Sequence, residues 1–199
     1  MEGSFYALIS RMRYIRRWGL MRNSYDENLS EHSHMTAVLA HALAVIRRDV
    51  MGRPADPDKA ASAALFHDAA EIITGDLPTP VKYHSREITG AYKQVERAAE
   101  LKLLALLPDA MQPAYDDAMC CPDDGVRELV KAADKLAAYI KCIEERGAGN
   151  GEFRSAEAQI RAALDASALP EVHYFMAHFL PAFGQTLDEL TQNETGGTK

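Results

Sequence analysis

Apolar residues recur at intervals of three and four along most of the chain, and glycines, prolines and capping residues interrupt that rhythm at regular places. Phe5, Leu8, Ile9, Met12 and Ile15 predict a first helix running from Phe5 to Trp18 and stopping near Gly19, with Arg11, Arg13, Arg16 and Arg17 on its other faces. A second helix, capped by Asn28 or Ser30, extends to about Val50. Met35, Leu39, Ala42 and Ile46 continue the face that begins at His32, and His34, Val38, His41 and Val45 form a neighbouring one. Gly52 and Pro54 break the chain, and Asp56-Pro57 supplies the cap and first-turn proline of a third helix ending near Ile73. Its alanines, Ala60, Ala61, Ala63, Ala64, Ala69 and Ala70, keep it thin, so that neighbouring helices can approach closely.

Beyond Thr74-Gly75, Pro78 and Pro80 predict an extended loop. Ser85 opens a fourth helix, with Ile88, Tyr92, Val95, Ala99, Leu103 and Leu106 at helical spacing and Pro108 closing it. Residues 109–121 read as an irregular or single-turn segment. A fifth helix starts at Pro122-Asp123-Asp124 and runs to Arg146. After a flexible turn, Gly147 to Gly151, two more helices follow at about 152–168 and 171–191. No segment alternates like a strand, and no fixed-period repeat appears. The pattern predicts an all-α helical bundle, a single domain over residues 1–192, with a flexible tail at 193–199.

Composition narrows the function more than the fold. The chain has 199 residues, 47% hydrophobic and 26% charged, enough for one domain with a real core. Its net charge of −7 repels a nucleic-acid polymer, whereas a small phosphorylated ligand stays accessible to one arginine and a metal. Cys120, Cys121 and Cys142 make no C-x-x-C pair, and two of them are adjacent. They read as free thiols of a reducing compartment, the cytoplasm. No apolar run is long enough to span a membrane.

Against this background four polar residues stand where their helices should be apolar: His32, His67, Asp68 and Asp134. Each alone reads as a hydrogen-bonded core residue. Together, two imidazoles and two carboxylates suit a divalent Mn, Fe, Co, Ni or Zn ion better than Mg. Glu71 follows Asp68 by three positions and His67 by four. On a continuous helix this puts it on the ligand face, in place for general acid or base work. By itself Glu71 also reads as a solvated or ion-paired face. Arg17 beside Trp18 suits a phosphate next to a flat or sugar group, although the same pair reads plainly as a surface arginine beside a core tryptophan.

The order His…His-Asp…Asp resembles the HD-domain metal-dependent phosphohydrolases. Longer strings, Arg16-Arg17-Trp18, Ser30-Glu31-His32-Ser33, His67-Asp68-Ala-Ala-Glu71, Thr74 through Lys82 and Lys131-Ala-Ala-Asp134, are similar to bacterial 5′-deoxynucleotidases of the YfbR type over nearly the whole chain. The resemblance implies an HD-domain bundle that releases phosphate from 2′-deoxynucleoside 5′-monophosphates, broad in base and selective against ribonucleotides. It implies one divalent ion, Co²⁺, Mn²⁺ or similar with Zn²⁺ as an alternative, held by His32, His67, Asp68 and Asp134. It further implies a homodimer.

Carried to matching positions, Arg17 orients the phosphate, and Trp18, Asp76, Leu77, Pro78 and Thr79 line the nucleotide pocket. His32, Asp68 and Asp134 count among the substrate contacts as well. Glu71 and Asp76 stand as alternatives for the proton. Two other readings remain on the same scaffold. One is a deoxynucleoside triphosphate hydrolase or nucleotide phosphodiesterase, which needs more basic residues near the motifs. The other is a catalytically silent nucleotide-binding module, against which the intact ligand set and Glu71 argue.

Overall fold

The computed structural model describes residues 3–82 and 84–192, without the side chains of Thr79 and Gln192; the expected tail at 193–199 lies outside the described residues. Eleven α-helices occur among them: α1 Phe5–Ile9, α2 Leu29–Val45, α3 Pro57–Phe66, α4 Glu71–Thr74, α5 Thr79–Lys82, α6 Arg86–Leu104, α7 Gln112–Cys120, α8 Asp124–Gly147, α9 Arg154–Asp165, α10 Pro170–His178 and α11 Leu187–Gln192. The all-α expectation holds, and the one extended pairing described is an isolated antiparallel bridge between Arg16 and Asn28.

The starts of the long helices follow from capping chemistry. The Asn28 Oδ1 accepts from the Ser30 and Glu31 amides while Glu31 reaches back to the Asn28 amide, a complete capping box for α2. Asp56 Oδ1 caps α3 through the Lys59 amide, with Pro57 in the first turn. Ser85 caps α6, and Asp123 caps α8.

Several boundaries differ from the sequence pattern. The first helix loses its α character after Ile9, tightens into a 3₁₀ turn over Ser10–Tyr14 and ends there, short of Trp18. From Ile15 the backbone pairs with the segment before α2: Ile15 O accepts from Leu29 N at 2.9 Å, and Arg17 N donates to Glu27 O at 2.9 Å. Hydrogen bonding to a distant segment here displaces the local helix.

The third helix does not run on to Ile73. It stops at Phe66 and gives way to tight i→i−3 bonds, Ala69 N to Phe66 O and Glu71 N to Asp68 O, both 3.0 Å. Gly75, at φ +74°, closes α4 in a conformation that favours glycine. The stretch expected to be extended around Pro80 instead coils into α5, with Val81 and Lys82 amides both on Pro78 O. Residues 109–121, expected to be irregular or a single turn, contain the nine-residue α7, and the last expected helix is broken into α10, a 3₁₀ turn at Leu180–Gly184 and α11.

The main core joins α2, α3, α8 and α10 through Leu39, Leu43, Ala60, Ala64, Leu129, Leu136 and Val172. Alanines at 0% to 2% exposure on α3 allow α2 and α8 to close on it from two sides. The neighbouring α2 face carrying His34, Val38 and His41 is exposed instead. A smaller cluster, Phe5, Ala69, Leu103, Leu107 and Met119, anchors α1 against α6 and α7.

Along α8, Lys141 and Glu145 form a buried pair at 2.5 Å. Lys141 also donates to Tyr25 O, and Glu145 accepts from the Ser24 amide and from Asn150. This network ties the 22–25 loop to the bundle. Lys141→Ala leaves a buried carboxylate without its cation, and we expect a loss of about 3–5 kcal/mol in urea unfolding. Burial alone would raise the Glu145 carboxyl, but hydrogen bonds from Lys141, Asn150 and Ser24 outweigh it and hold the group at about 2, against 4.5 unperturbed. Stability from this site is therefore complete above pH 4.5 and is lost as pH falls toward 2. Urea midpoints against pH should show the fall in the native protein and a shallower one in Glu145→Gln.

Candidate active site

Three mutually packed helices bring the polar residues together. His32 lies in the first turn of α2, where the Asn28 box fixes the start of the helix, and it is completely buried. His67 and Asp68 occupy the tight turn after α3, and Asp134 projects from the middle of α8. The His67 and Asp68 side chains leave successive positions of a chain wound more tightly than an α-helix, and they still meet: His67 Nε2 is 3.1 Å from Asp68 Oδ2. His32 Nε2 stands 3.7 Å from that same oxygen and 3.1 Å from Asp134 Oδ1. Asp134, expected among apolar positions, keeps 42% of its side chain exposed, so one side of the cluster is open to ligand.

Hydrogen bonds orient the two imidazoles. The Ala64 carbonyl can only accept, so His67 Nδ1, 2.7 Å away, carries the proton. Its Nε2 is buried, has no hydrogen-bond partner among the described residues, and faces the cluster. Thr36, one turn after His32, places its hydroxyl 3.3 Å from His32 Nε2. One ligand atom each from His32, His67 and Asp68 falls within 4.8 Å of the others, and Asp134 adjoins them. An orphaned imidazole nitrogen aimed at carboxylate oxygens fits a divalent transition-metal ion.

Electrostatics bind the group. Burial would lower the His67 imidazole, but the charge of Asp68, 3.1 Å from Nε2, and then that of Asp134 raise it to about 9. Burial pushes the Asp68 carboxyl up, while His67, His32 and Arg17 drive it well below the usual carboxylate range. Asp134 moves down in the same way, against its burial, through its hydrogen bond and charge contact with His32.

Arg17 closes one side. Its NH1 is 3.3 Å from Asp68 Oδ2, its NH2 3.9 Å from Asp134 Oδ1, and its Nε 3.2 Å from Glu27 Oε2. The Glu27 oxygen that receives Arg17 also receives the Trp18 indole N–H, at 2.9 Å. The Trp18 ring packs on Phe153 with centroids 5.3 Å apart.

Glu71 is 5% exposed, and its Oε2 has no hydrogen-bond partner among the described residues. Burial first, then Asp68 and Asp76, push its carboxyl up to about 9. The expectation that Glu71 shares an α-helical face with both ligands needs correction. At three residues per turn, positions i and i+3 eclipse, which aligns Glu71 with Asp68 rather than with the pair.

Asp76 and Leu77 follow Gly75 and are half-buried, as is Pro78. Asp76 is raised by burial and senses both Arg17 and Asp68. The Thr79 side chain, expected in the pocket wall, lies outside the described residues. Lys82 is held by Glu96 at 2.7 Å and faces the Tyr92 ring. Sequence reasoning missed Glu27, Thr36 and Phe153. Thr36 was legible as the i+4 neighbour of His32, whereas Glu27 sits in a loop with no periodicity to mark it.

An all-helical frame whose buried end gathers His, His-Asp and Asp defines the class of HD-domain phosphohydrolases. Such an enzyme from Listeria innocua has the same fold, with a TM-score of 0.78 at 22% identity over 90% of this chain and 88% of that one. The HD phosphohydrolase of cyanophage S-2L, described as bound to dA and one catalytic Zn²⁺ ion, gives 0.64 at 23% identity, covering 94% and 100%. The chain belongs to the YfbR-like 5′-deoxynucleotidase family, which its residues 4–183 match. A 5′-deoxynucleotidase of Yersinia pestis (strain Pestoides F) is 45% identical over 192 residues, 94% of this chain and 96% of that protein.

Because Glu71 is protonated near neutral pH in the fold but ionised in the unfolded chain, it opposes folding increasingly as pH rises from 4.5 to about 9. In chelator-treated protein, Glu71→Gln should exceed the native chain in urea midpoint by a margin that widens across that window. A constant difference would contradict the assignment.

Proposed function

We propose that this chain is a metal-dependent phosphomonoesterase that converts 2′-deoxyribonucleoside 5′-monophosphates to deoxyribonucleosides and phosphate, broad in base and selective against ribonucleotides. Its family supports the reaction, and the observation that carries the site assignment is the convergence of His32, His67, Asp68 and Asp134 under the Arg17 guanidinium. These four residues would hold one Co²⁺, Mn²⁺ or similar ion, with Zn²⁺ as the alternative. When bound, such an ion neutralises charge on phosphate oxygens and assists the ionisation of water.

The chain's own residues do the rest. Arg17 presents NH1 and NH2 as a planar fork to the phosphate oxygens. A positive ion in the cluster would bring the Glu71 carboxyl down from about 9 toward neutrality, where it exchanges a proton most effectively. Glu71 then gives a proton to the departing 5′-oxygen or takes one from the attacking water; Asp76, more exposed and close to Arg17, orients the sugar or water.

Trp18, Leu77, Pro78 and Thr79 form the wall of the nucleotide pocket. Val81 and Lys82 amides on Pro78 O stiffen the end of that wall, and a wall that excludes a 2′-hydroxyl must not yield. We further place the enzyme in the cytoplasm as a homodimer of residues 1–192. The three free cysteines suit a reducing compartment, and Ile88 and Val95, one above the other on α6, offer exposed apolar surface.

Purified protein stripped of metal and reloaded with Co²⁺ or Mn²⁺ should release phosphate from dAMP much faster than from AMP or dATP. Equal rates on AMP and dAMP would sink the deoxyribose selectivity. Glu71→Ala should lower kcat by about 10²–10⁴-fold while metal and nucleotide still bind. Asp134→Ala should lose stoichiometric metal in equilibrium dialysis; full retention would remove Asp134 from the ligand shell.

A further inference from the structure

The geometry points to Glu27 as a positioning residue that holds Arg17 and Trp18 as one unit, so that a single carboxylate oxygen aligns the phosphate fork with the wall of the nucleotide pocket. This deepens the proposed function, on which its kinetic consequences rest; its geometric consequences do not depend on that reading.

Glu27 Oε2 accepts from two adjacent residues at once, Arg17 Nε at 3.2 Å and Trp18 Nε1 at 2.9 Å. Consecutive side chains ordinarily diverge. Here the Trp18 backbone, at φ +55°, turns the indole back to the side of the guanidinium. A non-glycine residue in that conformation costs about 1–3 kcal/mol, which persists only where surrounding contacts hold it. Two such contacts are the Glu27 bond and the Phe153 ring. The Glu27 carbonyl also accepts the Arg17 amide, so backbone and side chain clamp the same residue.

The position in the chain adds a second constraint. Glu27 directly precedes Asn28, the cap of α2, and His32 follows in the first turns of that helix. The span from the guanidinium to the imidazole is thereby set by a short, doubly bonded stretch of backbone. Without Glu27, the carboxylates left near the guanidinium are Asp68 and Asp134, at 3.3 Å and 3.9 Å, and Asp76. Arg17, which already donates from NH1 to Asp68, would lose the contact that fixes its Nε and with it the direction of the NH1–NH2 edge. By holding Nε, Glu27 aims the NH1–NH2 edge at the Asp68–Asp134 side of the cluster, where the proposed function places the phosphate.

Trp18 is the single tryptophan of the chain, so its fluorescence reports on this place alone. In Glu27→Ala the emission should shift to the red and kcat/KM for dAMP should fall about 100-fold, carried by kcat rather than KM. In Glu27→Gln the amide oxygen still accepts from the indole, so emission should match the native protein. Loss of the charge-assisted bond to Arg17 should nonetheless lower kcat/KM about tenfold. Thermal midpoints separate these effects from general destabilisation. Native emission in Glu27→Ala together with native kcat/KM in both variants would overturn the inference. Should Glu27→Ala fail to fold, Glu27→Gln decides alone: a tenfold loss at unchanged emission and midpoint supports the role, and native kcat/KM overturns it. A native protein inactive on every deoxynucleotide would instead overturn the proposed function, and the emission of the two variants would still decide the placement of the indole.

Discussion

A cluster of opposite charges removed from bulk water governs this structure. Asp68 and Asp134 lie against His32, His67 and Arg17, and none of them is stable there alone. The carboxylates stay ionised because the imidazoles and the guanidinium surround them, and His67 keeps a proton because the negative charges of Asp68 and Asp134 lie against it. A divalent ion would take over the role of that proton. The fold is arranged to bring these charges from four separated stretches of chain to one place at a fixed spacing.

The helices show how that spacing is reached. Alanines on α3 let α2 and α8 approach until His32 and Asp134 are in hydrogen-bonding range. The chain after Phe66 then tightens, which carries His67, Asp68 and Glu71 around faster than an α-helix would. One consequence is a division of labour over five residues. His67 and Asp68 meet His32 and Asp134, while Glu71 is buried with a carboxyl that prefers its proton. Gly75, at φ +74°, then ends α4 ahead of Asp76 and Leu77.

A second framework, built from Glu27, Lys141 and Glu145, holds the segment opposite. Glu27 links the arm at Arg17 and Trp18 to the start of α2, and the Lys141–Glu145 pair fastens the intervening loop to α8. Arg17 therefore rests on the same two helices that carry His32 and Asp134.

Much of this was legible in the sequence. Three-and-four periodicity with Asn28, Asp56, Ser85 and Asp123 as caps determined the long helices, because a capped amphipathic stripe has one low-energy form. His32, His67, Asp68 and Asp134 stood out because a polar group at an apolar position needs a partner. The breaks did not stand out. The end of the first helix at Tyr14 goes with hydrogen bonds to a distant segment, and the tight turn at 67–70 and the coil of α5 close through local bonds that the hydrophobic pattern does not mark. Glu27 was invisible for the same reason: it lies in an aperiodic loop and acquires its role only when Arg17 and Trp18 arrive on one of its oxygens. The sequence by itself determined the long capped helices and which residues are chemically out of place. The tertiary structure decided the distances and the proton on Glu71, because both arise from desolvation and charges brought together across the chain.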